Sequence, residues 1–409
     1  MTGKATVKEK KRTLLYSSRM HGMGNKLAAF LLVLVALSSS SIAQQNAGPA
    51  WISPATEAKI DKIFASYARL DSPGYVLGLM KDGVMVFAKG YGQANLDDRI
   101  PLTPHTVFHL ASLSKQFTGA AVALLILDGK LSLEDPVSKY IPETTKYGEG
   151  LRIKHLVYMT SGLHEYTDLP RASGDPWMTF YYFTRDDAIR AALKPDTLEF
   201  APGSKWSYRN INYMLLTRIV EELSGQRLST FMQQRVFRPL NMQDSDINDD
   251  TTLIIQNRAT GYAPRSDPRV IAELAKSGVQ IRPGEGWVRL VRVSPHYGGS
   301  GVFTTLDDLA KWDEDWYSGE LAGPSFTELM NKRMRFQHDK DNDAFGLVWR
   351  QLYGKPMLDY SGGDTDASTY MARFPSEHFT IVCLSNMPLG DAEGKAHEVL
   401  EILHSSGKL

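Results

Sequence analysis

Strand-like apolar runs sit at both ends of this 409-residue chain, and helical spacing fills the middle. Near the front, Tyr75 to Met80 and Val84 to Ala88 are apolar runs separated by Lys81-Asp82-Gly83, a hairpin signature. Both read as apolar on both faces, which predicts a sheet covered by helices on each side. After residue 345 the strand signal returns in Phe345 to Leu352, Met357 to Tyr360, Ser368 to Phe374 and Phe379 to Leu384, and a helix from about Ala392 to Leu403 closes the chain. Between the two ends the period is helical. Ser112 to Leu127 is apolar nearly all round and so predicted to be central and buried. Asn212 to Leu223 and Leu228 to Val236 are the clearest later helices. Such an order predicts an α/β (α+β) fold, with one antiparallel sheet built from both termini, flanked by helices, and a mainly helical insert. The cleft beside an insert of this kind is a usual place for a site. Ser53-Pro54 opens a further helix, with Ile60, Ile63, Phe64 and Tyr67 on one face.

Charge separates the front of the chain from the rest. Lys and Arg number 46, as do Asp and Glu, but residues 1–43 hold seven basic residues against one acidic. The remainder carries 39 basic and 45 acidic residues, a net charge of −6, which argues against nucleic acid or an anionic membrane as partner. Within the basic segment, Lys26 precedes the apolar run Leu27 to Leu37, then four serines and Ser41-Ile42-Ala43. This pattern predicts a secretory signal peptide, with cleavage expected after Ala43 and no stable membrane insertion afterwards, an uncleaved anchor being the alternative. The destination is the periplasm or the medium, and Met20 or Met23 would serve as a later start. Cys383 is the only cysteine, so the fold uses no intrachain disulfide.

Several chemistries lack their motif. There is no G-x-S-x-G elbow, no zinc H-E-x-x-H (His397-Glu398 has no second His) and no Walker A, and Gly90-Tyr91-Gly92 lacks the third glycine of a dinucleotide loop. The histidines have no ligand spacing, so neither a metal nor a nucleotide cofactor is indicated.

What remains is a constellation of three segments. Ser112 and Lys115 lie at i and i+3 on the buried helix, one above the other. A lysine in a poorly solvated cleft can help activate a serine, and the helix start supplies N–H groups for an oxyanion. The copy at Ser405 to Lys408 falls in a terminal tail and is set aside, and Ser114 points to another helix face. Tyr208 and Asn210 form the chain's only Tyr-x-Asn, 96 residues after Ser112. In an extended link both point the same way. Tyrosine beside an ammonium can act as a base, and asparagine can donate to a carbonyl. The third segment, Asp359-Tyr360-Ser361-Gly362-Gly363, ends a strand. Glycines on an edge strand would let a substrate backbone approach, and the Gly363 N–H would complete an oxyanion hole.

The order Ser-x-x-Lys, Tyr-x-Asn, glycine-rich strand resembles the serine β-lactamase and penicillin-binding family, closest to its class C-like branch of D-alanyl-D-alanine carboxypeptidases, D-aminopeptidases and carboxylesterases. Thr106 to Thr118, Asp128 to Pro136, His155 to Leu163, Pro202 to Asn210 and Gly298 to Thr305 look like the family's recurrent phrases, and the likeness spans about residues 54 to 403. It implies one hydrolase domain over 54–405, with sheet parts at about 54–125 and 296–405 and the helical insert at about 126–295. It also implies Ser112 as the acylated serine, Lys115 as its partner, Tyr208 as general base and Asn210 as a substrate contact. Tyr360, Gly362 and Gly363 would form the third substrate-binding element. The family commonly has Lys or His where this chain has Tyr360, an aromatic that several of its esterases share. Ala367-Ser368 replaces the usual Gly-Phe, and Asp364 and Asp366 are expected to add negative charge at the rim, where they would suit an amine. The expected activity is hydrolysis of an amide, peptide or β-lactam bond in a small molecule or short peptide. A carboxylesterase and a penicillin-binding sensor that acylates without turnover are the alternatives, and the oligomeric state is left open.

Overall fold

The computed structural model describes residues 51–171, 182–276, 278–282, 284–334 and 342–409. The basic lead-in, the apolar run and the cleavage point after Ala43 lie outside them. Helix α1 (Pro54–Phe64) starts where Ser53 Oγ accepts the Thr56 N–H at 3.1 Å with proline at its first position, and it buries Ile60 and Phe64. Strands β1 (Tyr75–Lys81) and β2 (Val84–Tyr91) follow as the expected hairpin. Asp82 and Gly83 both have positive φ, 52° and 75°, which suits the twist of a two-residue hairpin turn.

The main sheet is completed from the other end of the chain. Strands β3 (Asn342–Asp343), β4 (Val348–Leu352), β5 (Lys355–Asp364), β6 (Ala367–Phe374) and β7 (Phe379–Ser385) give the order β3-β4-β5-β6-β7-β1-β2, antiparallel throughout. The last strand therefore pairs with the first, Tyr75 opposite Ser385. Alternation sorts the side chains. Tyr75, Leu77 and Leu79 pack with α1 and the closing helix α5 (Ala392–Ser405), while Val76 and Met80 face the larger core with α2 (Lys115–Leu127) and α4 (Leu306–Ser318). Two-sided burial holds for β1. It fails for β2, the sheet edge, where Val84 is 60% exposed, because apolar composition alone does not distinguish an edge from an interior strand.

The middle of the chain carries the expected helices, with α3 (Asn210–Ser224) followed by Leu228–Met232 and a π-helical turn. It also holds a short hairpin, Gly261–Pro264 against Trp287–Leu290, whose four-residue strands are too brief to show a period. Two strand ends differ from expectation. Ala344 to Leu347 form a tight turn, so β4 starts only at Val348, and β5 runs on through its glycines to Asp364. No helix among the described residues is long and apolar enough to cross a membrane.

Candidate active site

Ser112 sits on a tight turn that feeds α2. A short strand, Phe108–His109, leads into a 3₁₀ turn over Ala111–Ser114, and α2 continues from Lys115. Ala111, immediately before Ser112, has φ of +50°, a left-handed conformation costing about 1 kcal/mol for a residue with a Cβ. The surroundings hold it there. Thr369 Oγ1 donates to the Leu110 carbonyl at 2.8 Å, and Ser114 Oγ, on another face as expected, accepts the Val302 N–H at 3.1 Å. Gly362 lies directly against this turn. A Cβ there would stand 2.5 Å from the Leu110 oxygen and 3.0 Å from the Leu113 nitrogen. The glycine thus admits the serine's own turn, not a substrate backbone.

Lys115 is fully buried and its ammonium is the hub of the site. Nζ lies 2.5 Å from the Tyr208 oxygen, 2.6 Å from the Gly299 carbonyl, 2.9 Å from Asn210 Oδ1 and 3.2 Å from Ser112 Oγ. Three N–H donors cannot serve four acceptors equally, and the serine contact is the longest. Ser112 Oγ is instead 2.7 Å from the Tyr208 oxygen, a contact along which a proton can pass between the two hydroxyls. The ammonium also lies 4.7 Å from the centre of the Tyr208 ring. Because Asn210 must present Oδ1 to the cation, its NH₂ group is left as a donor.

Tyr208 lies on the irregular link that enters α3, whereas Asn210 is the first residue of that helix and not, as the spacing predicts, part of an extended link. A residue not anticipated fixes that entry. Glu165, buried, accepts the Asn210 backbone N–H with Oε2 and the Tyr166 N–H with Oε1 at 3.1 Å. Burial pushes its carboxyl up to about 7, against the opposing pull of the Asn210 amide and the Lys115 charge. No sequence signal marks it, since it is one acid in an aperiodic loop. Gly299 was likewise visible only within a family-like phrase, because its contribution is a backbone carbonyl.

The third segment lines the same cleft, of about 330 Å³, with Ser112, Tyr208, Tyr360, Ser361 and Gly363 in its wall together with Trp206, Asp343 and Arg350. Strand β5 is interior to the sheet, not an edge. β4, however, pairs with it only as far as Asp359, so residues 360–364 keep an open edge towards the cleft. Burial beside Tyr208 and Tyr213 pushes the Tyr360 phenol up, so it is neutral and supplies no cation. The guanidinium in the wall is that of Arg350, 3.0 Å from the buried Asp359. Asp364 and Asp366 do not charge the rim. Asp366 is buried, Asp364 is largely covered, and both are paired with His109, Arg258 or Arg292, all more than fifty positions away in sequence, so a glycine-rich turn was misread as solvent-facing.

The arrangement joins a serine hydroxyl, a proton acceptor in line with it and a fixed cation beside that acceptor, which is the equipment of acyl transfer. The sequence profile of the Beta-lactamase family matches residues 60–404. Among curated relatives, a D-aminopeptidase of Gluconobacter oxydans is 25% identical over 320 residues, covering 78% of this chain and 57% of its own. A putative D-alanyl-D-alanine carboxypeptidase of Escherichia coli is 26% identical over 371 residues, covering 81% of this chain and 82% of its own. The chain therefore spans little more than half of the first relative. An octameric penicillin-binding protein homologue from Pyrococcus abyssi shares the fold, with a TM-score of 0.71 at 23% identity over 87% of this chain and 77% of that one.

Proposed function

The chain belongs to the Beta-lactamase family of serine hydrolases, and from that premise we propose that Ser112 is its nucleophile and that it cleaves an amide or peptide bond, β-lactams included, through an acyl-enzyme. The observation that carries this reading is the Ser112–Tyr208–Lys115 contact set, in which the Tyr208 oxygen accepts from Lys115 and lies 2.7 Å from Ser112 Oγ. Ser112 Oγ attacks the carbonyl carbon as its proton passes to the Tyr208 oxygen, whose negative charge the Lys115 ammonium balances. The N–H groups of Ser112 and Gly363 receive the oxyanion, and the Asn210 NH₂ holds a substrate carbonyl. Tyr208 returns the proton to the leaving amine. Water then attacks the acyl carbon and gives a proton to the same oxygen, and the Ser112 Oγ–acyl bond breaks as Tyr208 passes that proton to Oγ, freeing the acid. Relatives named for a D-aminopeptidase and a carboxypeptidase support an amide substrate.

Tyr360 favours a second reading. A neutral phenol in place of a cation gives a substrate carboxylate no partner at that position, which suits a carboxylesterase of the same fold. We also propose that residues 1–43 act as a cleaved export signal, on the strength of their basic flank, short apolar run and small residues before Ala43.

The test is intact-mass analysis of the chain treated with a fluorophosphonate beside Ser112→Ala, followed by nitrocefin, D-amino-acid p-nitroanilides and p-nitrophenyl esters. One added label that disappears in the variant is the expected result. Faster turnover of the anilides or nitrocefin supports the amide reading, and faster ester turnover the esterase. A penicillin adduct that persists without turnover would replace both with a sensor. No label on either protein would overturn the assignment of Ser112.

A further inference from the structure

Behind the cleft, outside the machinery just described, lies a buried Ser–His–Asp trio. His109 Nδ1 is 2.7 Å from Asp366 Oδ1, and His109 Nε2 is 2.8 Å from Ser300 Oγ. We infer that His109 is a positioning residue for Ser112: its imidazole ties together the three segments from which the active site is assembled. This inference rests on the reading of Ser112 as nucleophile.

The sequence positions carry the argument. His109 stands three residues before Ser112. Ser300 follows Gly299, whose carbonyl accepts from Lys115. Asp366 stands three residues after Gly363, across the turn that ends β5. One side chain therefore reaches the nucleophile turn, the loop that orients the ammonium and the strand end that lines the cleft. The ring itself cannot drift, since it stacks on Phe303 with centroids 5.0 Å apart. Arg258, over the same Phe303 ring, holds the other Asp366 oxygen at 3.0 Å.

Proton bookkeeping fixes the direction of each bond. The Gly301 backbone N–H also points at His109 Nε2, at 3.3 Å, and an amide can only donate. Nε2 is therefore an acceptor, and Nδ1 carries the proton given to Asp366. A catalytic Ser–His–Asp triad uses the same tautomer, so it is burial that separates the trio from a second catalytic centre. Ser300 Oγ donates to Nε2 at 2.8 Å, sharing that nitrogen with the Gly301 amide, and Asp364 Oδ2 lies 3.2 Å from the same hydroxyl. Ser300 and His109 are both buried, so no acyl donor reaches them. The trio is a strut.

The test uses the full chain, three single variants and the Ser112→Ala/Ser300→Ala double. His109→Asn keeps a donor near the Nδ1 position and removes the acceptor arm, Ser300→Ala removes that arm from the other side without stranding a charge, and Ser112→Ala reports where label goes. The readouts are the rate of fluorophosphonate labelling, kcat and KM for p-nitrophenyl acetate, and hydrogen exchange. For the two strut variants the expected result is labelling slowed by about 10- to 100-fold, with the loss in kcat and KM little changed. Exchange should rise together over residues 108–114, 298–302 and 363–368. Folded variants that label at the wild-type rate and exchange normally would overturn the inference. So would a label on Ser112→Ala that disappears when Ser300 is also replaced, which would make Ser300 a nucleophile. If the wild-type chain takes no label, the reading of Ser112 fails, and exchange alone then decides whether the three segments are tied: a rise confined to 108–109 refutes the strut.

Discussion

Glu165 sets up a pH dependence whose sign can be worked out in advance. Its carboxyl has an ordinary value of 4.5 and is pushed to about 7 by burial, so the native state holds a proton that the unfolded chain has released. Stability therefore falls as pH rises from about 4.5 to about 7 and is level beyond, by about 3 kcal/mol in all. Glu165→Gln removes this dependence and adds a constant cost. The native carboxyl keeps a lone pair on each oxygen, protonated or not, for the Tyr166 and Asn210 amides, whereas a glutamine offers one oxygen and turns its NH₂ on the other amide. A buried donor facing a donor costs about 1–3 kcal/mol. At pH 4.5 the variant should be less stable than the parent by that amount, and at pH 8.5 it should match or exceed it. Urea unfolding followed by tryptophan fluorescence at the two pH values measures the difference, and other titrating groups cancel between parent and variant. A stability gap equal at both pH values, within about 0.5 kcal/mol, would refute the reasoning, since it would mean that Glu165 is ionised throughout.

Four further outcomes follow from the geometry. Lys115→Met, which keeps the stem and removes the ammonium shared by Tyr208, Asn210 and Gly299, should slow fluorophosphonate labelling by about 10²- to 10⁴-fold, read by intact mass against time. Gly362→Ala puts a Cβ 2.4 Å from Thr369 Oγ1 and 2.5 Å from the Leu110 oxygen and should cost about 1–3 kcal/mol in urea unfolding. Gly363→Ala, with nothing within 4 Å of its Cβ, should stay within about 0.5 kcal/mol of the parent. Asp313→Ala strands Arg373, whose Nε is 2.6 Å from Asp313 and whose side chain is buried, and should cost about 3–5 kcal/mol; adding Arg373→Met should recover most of the loss.

The parts legible in the sequence were those written in side-chain spacing. Ser112 and Lys115 three apart on an apolar helix, and Tyr208 and Asn210 two apart at a helix entry, each carry a geometry that survives without coordinates. The sheet built from both termini was legible for the same reason, through apolar runs of strand length. Other features depend on partners far away in the chain. Asp364 and Asp366 look like a solvated turn until His109, Arg258 and Arg292 are brought against them. Gly299 acts through its carbonyl, and Glu165 through where α3 happens to begin; neither leaves a periodic trace. Even Gly362 was singled out for the wrong neighbour, because a glycine announces that something approaches closely without saying what.

The pairing of β1 with β7 has a consequence for the order of assembly. Gly74 N–H donates to Asn386 Oδ1 across 312 positions, and β1 has its interior partner only when the last strand arrives. A chain emerging from its N-terminus thus presents the β1–β2 hairpin, the nucleophile turn and the whole helical middle while the sheet beneath them is still missing. Loop closure over that distance must come before the reward of burial, so the folding of the half that bears Ser112 waits on the final strands. The main sheet cannot close until β7 has been made, and loss of residues 342–409 removes the floor on which the serine stands.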